Sequence, residues 1–150
     1  RWGDCVASQQ REGLGSAPVK LLLDTHIWVW SLVDPGQLSR RVQRALKNAK
    51  NELWLSPISV WEVLMLAKKG RLVFDEPAER WVGRALEAAP LREAPLTHEV
   101  ALASARMTGA PSDPADGFLV ATAQVYGLTL VTADRRLEQL EEISVLTNRF

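Results

Sequence analysis

The chain has 150 residues with 18 basic and 18 acidic side chains, so its formal net charge is zero and any nucleic-acid contact must rest on a local patch rather than on the field of the whole molecule. With 47% hydrophobic and 24% charged residues it has the composition of a folded domain, which excludes a disordered chain, and no apolar run approaches the ~20 residues needed to cross a bilayer. Cys5, the only cysteine, excludes an internal disulfide and a cysteine-built metal site and fits a reducing cytoplasm.

Residues 1–17 (RWGDCVASQQREGLGSA) carry no apolar periodicity and lack the continuous apolar core of a secretory signal; they read as a flexible leader or upstream extension. Residues 18–150 have the length of one ordinary domain. The run Val19-Lys20-Leu21-Leu22-Leu23 reads as a strand buried on both faces, the signature of a central strand in a parallel sheet, and it stops on Asp24. Ile27 to Val33 predicts a short buried helix closed by Asp34-Pro35-Gly36, with Trp28 and Trp30 serving the core. Leu38, Val42, Ala45, Leu46 and Ala49 then repeat at helical spacing, with Arg40, Arg41, Arg44, Lys47 and Lys50 between them, so this helix carries a basic face.

Leu53-Trp54-Leu55 is a brief strand, and the segment from Ser56 to Lys69 turns helical with Gly70 as its stop, which puts Glu62 in an opening turn. Glu76-Pro77 opens a helix that Pro90 ends, Leu91 to Leu96 predicts a third strand, and Thr97 is the N-cap of a helix from His98 to about Met107. The stretch Gly109 to Asp113 is a loop, Pro114 starts a helix that stops at Gly127, and Asp116 lies in its first turn. Leu128 to Thr132 is a fourth strand with Asp134 just beyond it, Arg135 to Glu141 is a short charged helix, and Ile143 to Leu146 is the last strand. Strands alternating with helices at this spacing predict a three-layer α/β/α sandwich around a mainly parallel sheet of about five strands.

Asp24, Glu62, Asp116 and Asp134 all stand at strand ends or helix starts, and in a parallel sheet these share one edge. An all-oxygen cluster there suits a hard divalent ion such as Mg²⁺ or Mn²⁺, and with it the hydrolysis of phosphodiesters. Each acid also has a structural reading. Ser59-x-x-Glu62 fits a capping box, Asp113 before Pro114 fits an N-cap, Asp116 complements a helix dipole, and Asp24 and Asp134 fit turns. His26 and His98 have no paired ligand spacing, and the chain contains no GxSxG elbow and no glycine-rich phosphate loop. The basic face formed by Arg40, Arg41, Arg44 and Lys47 is a solvated helix surface or, beside an acidic metal site, a means of bringing RNA phosphates in.

The segments LLLDTHIWVW, SPISVWEVLMLAKKGRL and DPADGFLVATAQVYGLTLVTAD, in this order and spacing over about residues 19–148, resemble the PIN-domain family, and most closely its VapC-type toxins of toxin–antitoxin modules. The resemblance implies a PIN-like fold and a cytoplasmic Mg²⁺- or Mn²⁺-dependent ribonuclease that forms a homodimer and is held inactive by an antitoxin. It implies metal ligation by Asp24 and Asp116, with Glu62 and Asp134 completing the site and orienting a water, and Thr132 and Asp113 in support. It also implies a groove for the antitoxin near Val42 to Leu46 and Trp61 to Leu66. The chain departs from the family at Gly117, where similar members commonly carry an arginine after the third acid. That departure supports an alternative, a catalytically impaired PIN-fold module acting through a protein partner. A phosphoacceptor receiver domain is a third reading, but it requires adjacent acids after the first strand and a lysine after the last, and neither is found here.

Overall fold

The computed structural model describes residues 17–107 and 113–150. The predicted leader, apart from Ala17, and the predicted loop residues Gly109 to Ser112 lie outside the described residues, as does Cys5. In chain order the elements are β1 (Lys20–Leu23), α1 (Thr25–Val33), a 3-10 turn (Pro35–Gln37), α2 (Arg40–Lys47), β2 (Glu52–Leu55), α3 (Pro57–Lys68), α4 (Ala78–Ala88), β3 (Leu91–Glu93), α5 (His98–Arg106), α6 (Pro114–Tyr126), β4 (Thr129–Thr132), α7 (Arg135–Glu138) and β5 (Ser144–Thr147).

The five strands form one sheet in the order β3-β2-β1-β4-β5, and every pairing is parallel. From β1 the chain builds outward on one side through β2 and β3, then crosses back to place β4 and β5 on the other. The order therefore reverses between β1 and β4, and a crevice opens there beyond the carboxyl ends of the strands. The Cα register pairs Leu23 with Val131, so Asp24, just past β1, and Thr132, the last residue of β4, stand side by side.

Because side chains alternate along a strand, β1 feeds both layers. Leu21 and Leu23 enter a core with Ile27, Trp28, Val42, Val63 and Trp81, whereas Leu22 enters the opposite core with Leu119, Val120 and Leu130. Trp28 is 1% exposed and meets Trp81 edge-on at 5.6 Å, with Phe74 stacked on Trp81 at 4.4 Å. Trp30 is only half-buried and lies 5.6 Å from His26.

Strand β3 and helix α7 each end three residues short of their predicted limits. Strand β3 ends at Glu93 rather than Leu96: Ala94 N–H still donates to Leu55 O at 2.9 Å, but Pro95 has no N–H with which to continue the ladder. Helix α7 ends at Glu138 rather than Glu141, since the acidic Glu138, Glu141 and Glu142 suit the negative end of a helix dipole poorly. The left-handed Gly127 (φ 68°) closes α6 as predicted.

Replacing Leu22, which is fully buried on the central strand, by Ala is expected to destabilise the fold by ~3 kcal/mol in chemical denaturation. A loss below ~1 kcal/mol would contradict its place in a packed layer.

Candidate functional site

Asp24 caps α1 and is fixed from both sides of the crevice. Its Oδ1 accepts from Thr25 N–H at 2.7 Å and its Oδ2 from the Thr132 hydroxyl at 2.6 Å. The same Thr132 oxygen accepts from Asp134 N–H at 3.0 Å, so one buried hydroxyl couples the first acid to the fourth. Burial pushes the Asp24 carboxyl above its usual range, and the bonds from Thr132 and Thr25 offset only part of this.

The capping-box reading of Ser59 and Glu62 does not hold. Ser56, directly before Pro57, caps α3 by accepting from Ile58 N–H, which leaves Ser59 and Glu62 inside the helix. Glu62 Oε1 instead accepts from the Thr25 hydroxyl at 2.5 Å, and Ser59 Oγ lies 3.0 Å from the same Thr25 oxygen. A hydroxyl has one proton and an ionised carboxylate can only accept, so Thr25 donates to Glu62 and Ser59 is left to donate to Thr25. Burial raises the Glu62 pKa first, and repulsion from Asp24 and Asp113 adds to it.

Asp116 sits in the first turn of α6 and is 8% exposed. Burial, followed by the charges of Asp24, Asp113, Asp134 and Glu62, pushes its pKa up to about 7. Asp113 does cap α6, accepting from Ala115 N–H at 3.0 Å. Asp134 caps α7 and accepts from the Arg136 backbone N–H at 2.9 Å, its Nε at 3.1 Å and its Nη2 at 2.6 Å, which together hold its pKa low. Arg136 also reaches Asp116 Oδ2 at 3.5 Å.

The predicted acids are thus brought within electrostatic reach of one another. Among the described residues, no three His, Cys, Asp or Glu side chains stand close enough together to hold a metal as placed. The chemistry of the donor set fits a hard divalent cation all the same: every donor is oxygen, and Asp116 is left repelled by its neighbours.

A Cβ at position 117 would meet Ser104 Oγ at 3.6 Å, an ordinary contact, so the glycine is not enforced by space. The cation beside Asp116 comes instead from Arg136 on α7. Arg40, Arg41, Arg44 and Lys47 are exposed on α2. The N-terminus of that helix is tied to the rim by Asn148, which accepts from Ser39 N–H at 2.7 Å and donates to Gln37 O at 2.9 Å. Of the segments expected to form a groove, Val42 is fully buried in the core, and Leu46 lines a cavity of about 260 Å³ with Leu32, Pro35, Leu38, Leu53 and Leu91. Trp61 is 53% exposed and not part of that lining.

Thr25, Ser59 and Arg136 were not singled out from sequence. Thr25 and Arg136 each lie within two residues of a predicted acid, a proximity that could have pointed to them; Ser59 was assigned to a cap.

A five-stranded parallel sandwich with acids from separate elements gathered at its switch point defines the class. A model of the PIN domain family matches residues 21–143, and the chain belongs to that family. It is 35% identical over 118 residues to Ribonuclease VapC22 of Mycobacterium tuberculosis, covering 78% of this chain and 88% of that protein. Among solved structures it resembles a toxin–antitoxin complex from Klebsiella pneumoniae (25% identity, TM-score 0.59, 89% of this chain and 98% of that one). It also resembles VapBC2 from Rickettsia felis bound to a DNA fragment from its promoter (14% identity, TM-score 0.65, 86% of this chain and 98% of that one).

The raised pKa of Asp116 has a definite sign. Between its unfolded value of 3.8 and about 7 the folded chain holds a proton that the unfolded chain has released, so stability falls as pH rises through that window. Asp24 and Glu62, also raised, act in the same direction, while the lowered Asp134 changes charge below it. Without metal, the melting temperature is expected to fall between pH 5 and 7.5, and Asp116→Asn to raise stability at pH 7.5 by ~1–2 kcal/mol, about 3–6 °C. Identical melting curves for the two proteins at pH 7.5 would contradict the crowding of these acids.

Proposed function

We propose that the chain is an endoribonuclease toxin of the VapC kind, which hydrolyses RNA phosphodiester bonds at the Asp24, Glu62, Asp116 and Asp134 rim with a divalent cation, Mg²⁺ or Mn²⁺. The observation that carries this reading is the buried carboxyl of Asp116, raised to about 7 by burial and then by the charges of Asp24, Asp113, Asp134 and Glu62 gathered around it. Such crowding opposes stability and has a use when a cation is to be bound. The relative at 35% identity is a ribonuclease, and the similar solved structures include toxin–antitoxin complexes, which supports both the activity and an antitoxin partner. Residues 18–150 are read as one domain acting in the cytoplasm as a homodimer. Among the described residues no helix is long and apolar enough to cross a membrane.

In this reading Asp24 and Asp116 hold the ion, and Glu62 and Asp134 orient the attacking water. The ion, when bound, polarises the phosphoryl oxygen and favours ionisation of that water. Thr132 and Thr25 each donate a hydrogen bond to an acid, fixing Asp24 and Glu62 without cancelling their charge. The exposed face of α2, with Arg40, Arg41, Arg44 and Lys47, offers phosphate contacts for the flanking RNA. The apolar groove at Leu32, Leu38 and Leu46 suits an apolar antitoxin segment. The impaired alternative rested on the missing cation at position 117. Arg136 brings a cation to Asp116 from another element while no divalent ion is bound.

Purified chain incubated with a mixed pool of structured RNAs and Mn²⁺ is expected to cleave them, chelator to stop it, and Asp116→Asn to lower the rate by at least about a hundredfold. Cleavage that persists in chelator, or that Asp116→Asn leaves intact, would sink the proposal.

A further inference from the structure

A single nitrogen of Arg136, Nη2, touches both carboxylates of the rim's exposed side: it lies 2.6 Å from Asp134 Oδ2 and 3.5 Å from Asp116 Oδ2. The rest of the contact is with Asp134 alone, through Nε at 3.1 Å and the backbone N–H at 2.9 Å. The guanidinium fork is therefore anchored on the cap of its own helix, and only its outer arm leans across to Asp116. The Arg136 side chain is 69% exposed, so it can swing away without opening the core.

This arm leans on an oxygen of Asp116, one of the two acids that would hold the ion. A hard divalent ion approaches carboxylate oxygens to ~2.1 Å and repels a second cation on the same oxygens. We propose that Arg136 is a removable counter-ion of the rim, which bridges Asp116 and Asp134 while no divalent ion is bound and must release Asp116 before that carboxylate can serve one. The inference rests on reading the rim as a divalent-cation site. It adds that the chain carries its own competitor for that ion. Arg135, one residue earlier and also exposed, bears the same charge on the same short helix but is not part of the bridge, which makes it the natural control.

The test is calorimetric titration of Mn²⁺ into the metal-free wild type, R136Q, R136K and R135Q, with the melting temperature of each metal-free protein. R136Q is expected to bind Mn²⁺ roughly three- to fivefold more tightly than the wild type, the size of an exposed ion pair that no longer has to be broken. R136K keeps the charge but loses the Nε bond that anchors the fork on Asp134, and it too is expected to bind more tightly than the wild type. R135Q is expected to change affinity by less than about twofold, and metal-free R136Q to melt below the wild type, with the difference closing at saturating Mn²⁺. Wild-type affinity in both R136Q and R136K overturns the proposal while leaving the metal site standing. Equal tightening in R135Q overturns it as well, since the effect would then belong to the overall field. No uptake of Mn²⁺ by the wild type removes the metal reading itself and the inference with it.

Discussion

Repulsion among carboxylates gathered at one edge of a parallel sheet is the constraint on which the rest of this structure depends. Parallel strands with crossover helices must end together, and the helices that follow must begin there. With the order β3-β2-β1-β4-β5, the reversal between β1 and β4 places Asp24 and Asp134 on either side of one crevice. Helices α3 and α6 then add Glu62 and Asp116 to the same edge. The topology that packs Leu21, Leu22 and Leu23 into two cores is also what collects the charge.

Two different devices make the crowding tolerable. Neutral hydroxyls from Thr25 and Thr132, both buried, donate to Glu62 and Asp24, so these carboxylates are fixed in direction. Arg136 neutralises charge, but from the exposed side and through a contact confined to a four-residue helix. The buried device is permanent and the exposed one is reversible. Asp116 is served by neither fully, and burial, followed by the neighbouring charges, pushes its pKa up to about 7. A divalent cation relieves that strain better than a single guanidinium arm at 3.5 Å.

The architecture was legible because β1 is apolar without alternation, Gly70 and Gly127 mark helix ends, and acids follow strands at Asp24 and Asp134. Misreadings arose where two local rules competed. Ser56-Pro57 and Ser59-x-x-Glu62 both look like helix starts, and the proline at the first helical position decided for Ser56, which freed Glu62 for the rim. Pro95 shortened β3, whose predicted span ran on to Leu96. The pairing of Thr25 with Glu62, thirty-seven residues apart, depends on how α1 and α3 meet and has no local signature. Arg136 was hidden by its ordinariness, as one of two adjacent arginines on a charged segment.

The coupling of acids from separate elements into one site is the central claim, and the most direct measurement is the carboxyl titration of Asp116 by carbon-13 NMR in metal-free protein, with Asp24→Asn beside it. The account predicts a midpoint of about 7 for the wild type and a clearly lower one once the Asp24 charge is gone. A midpoint in the ordinary carboxylate range near 4, unmoved by Asp24→Asn, would mean that these residues share an edge of the sheet without forming a site.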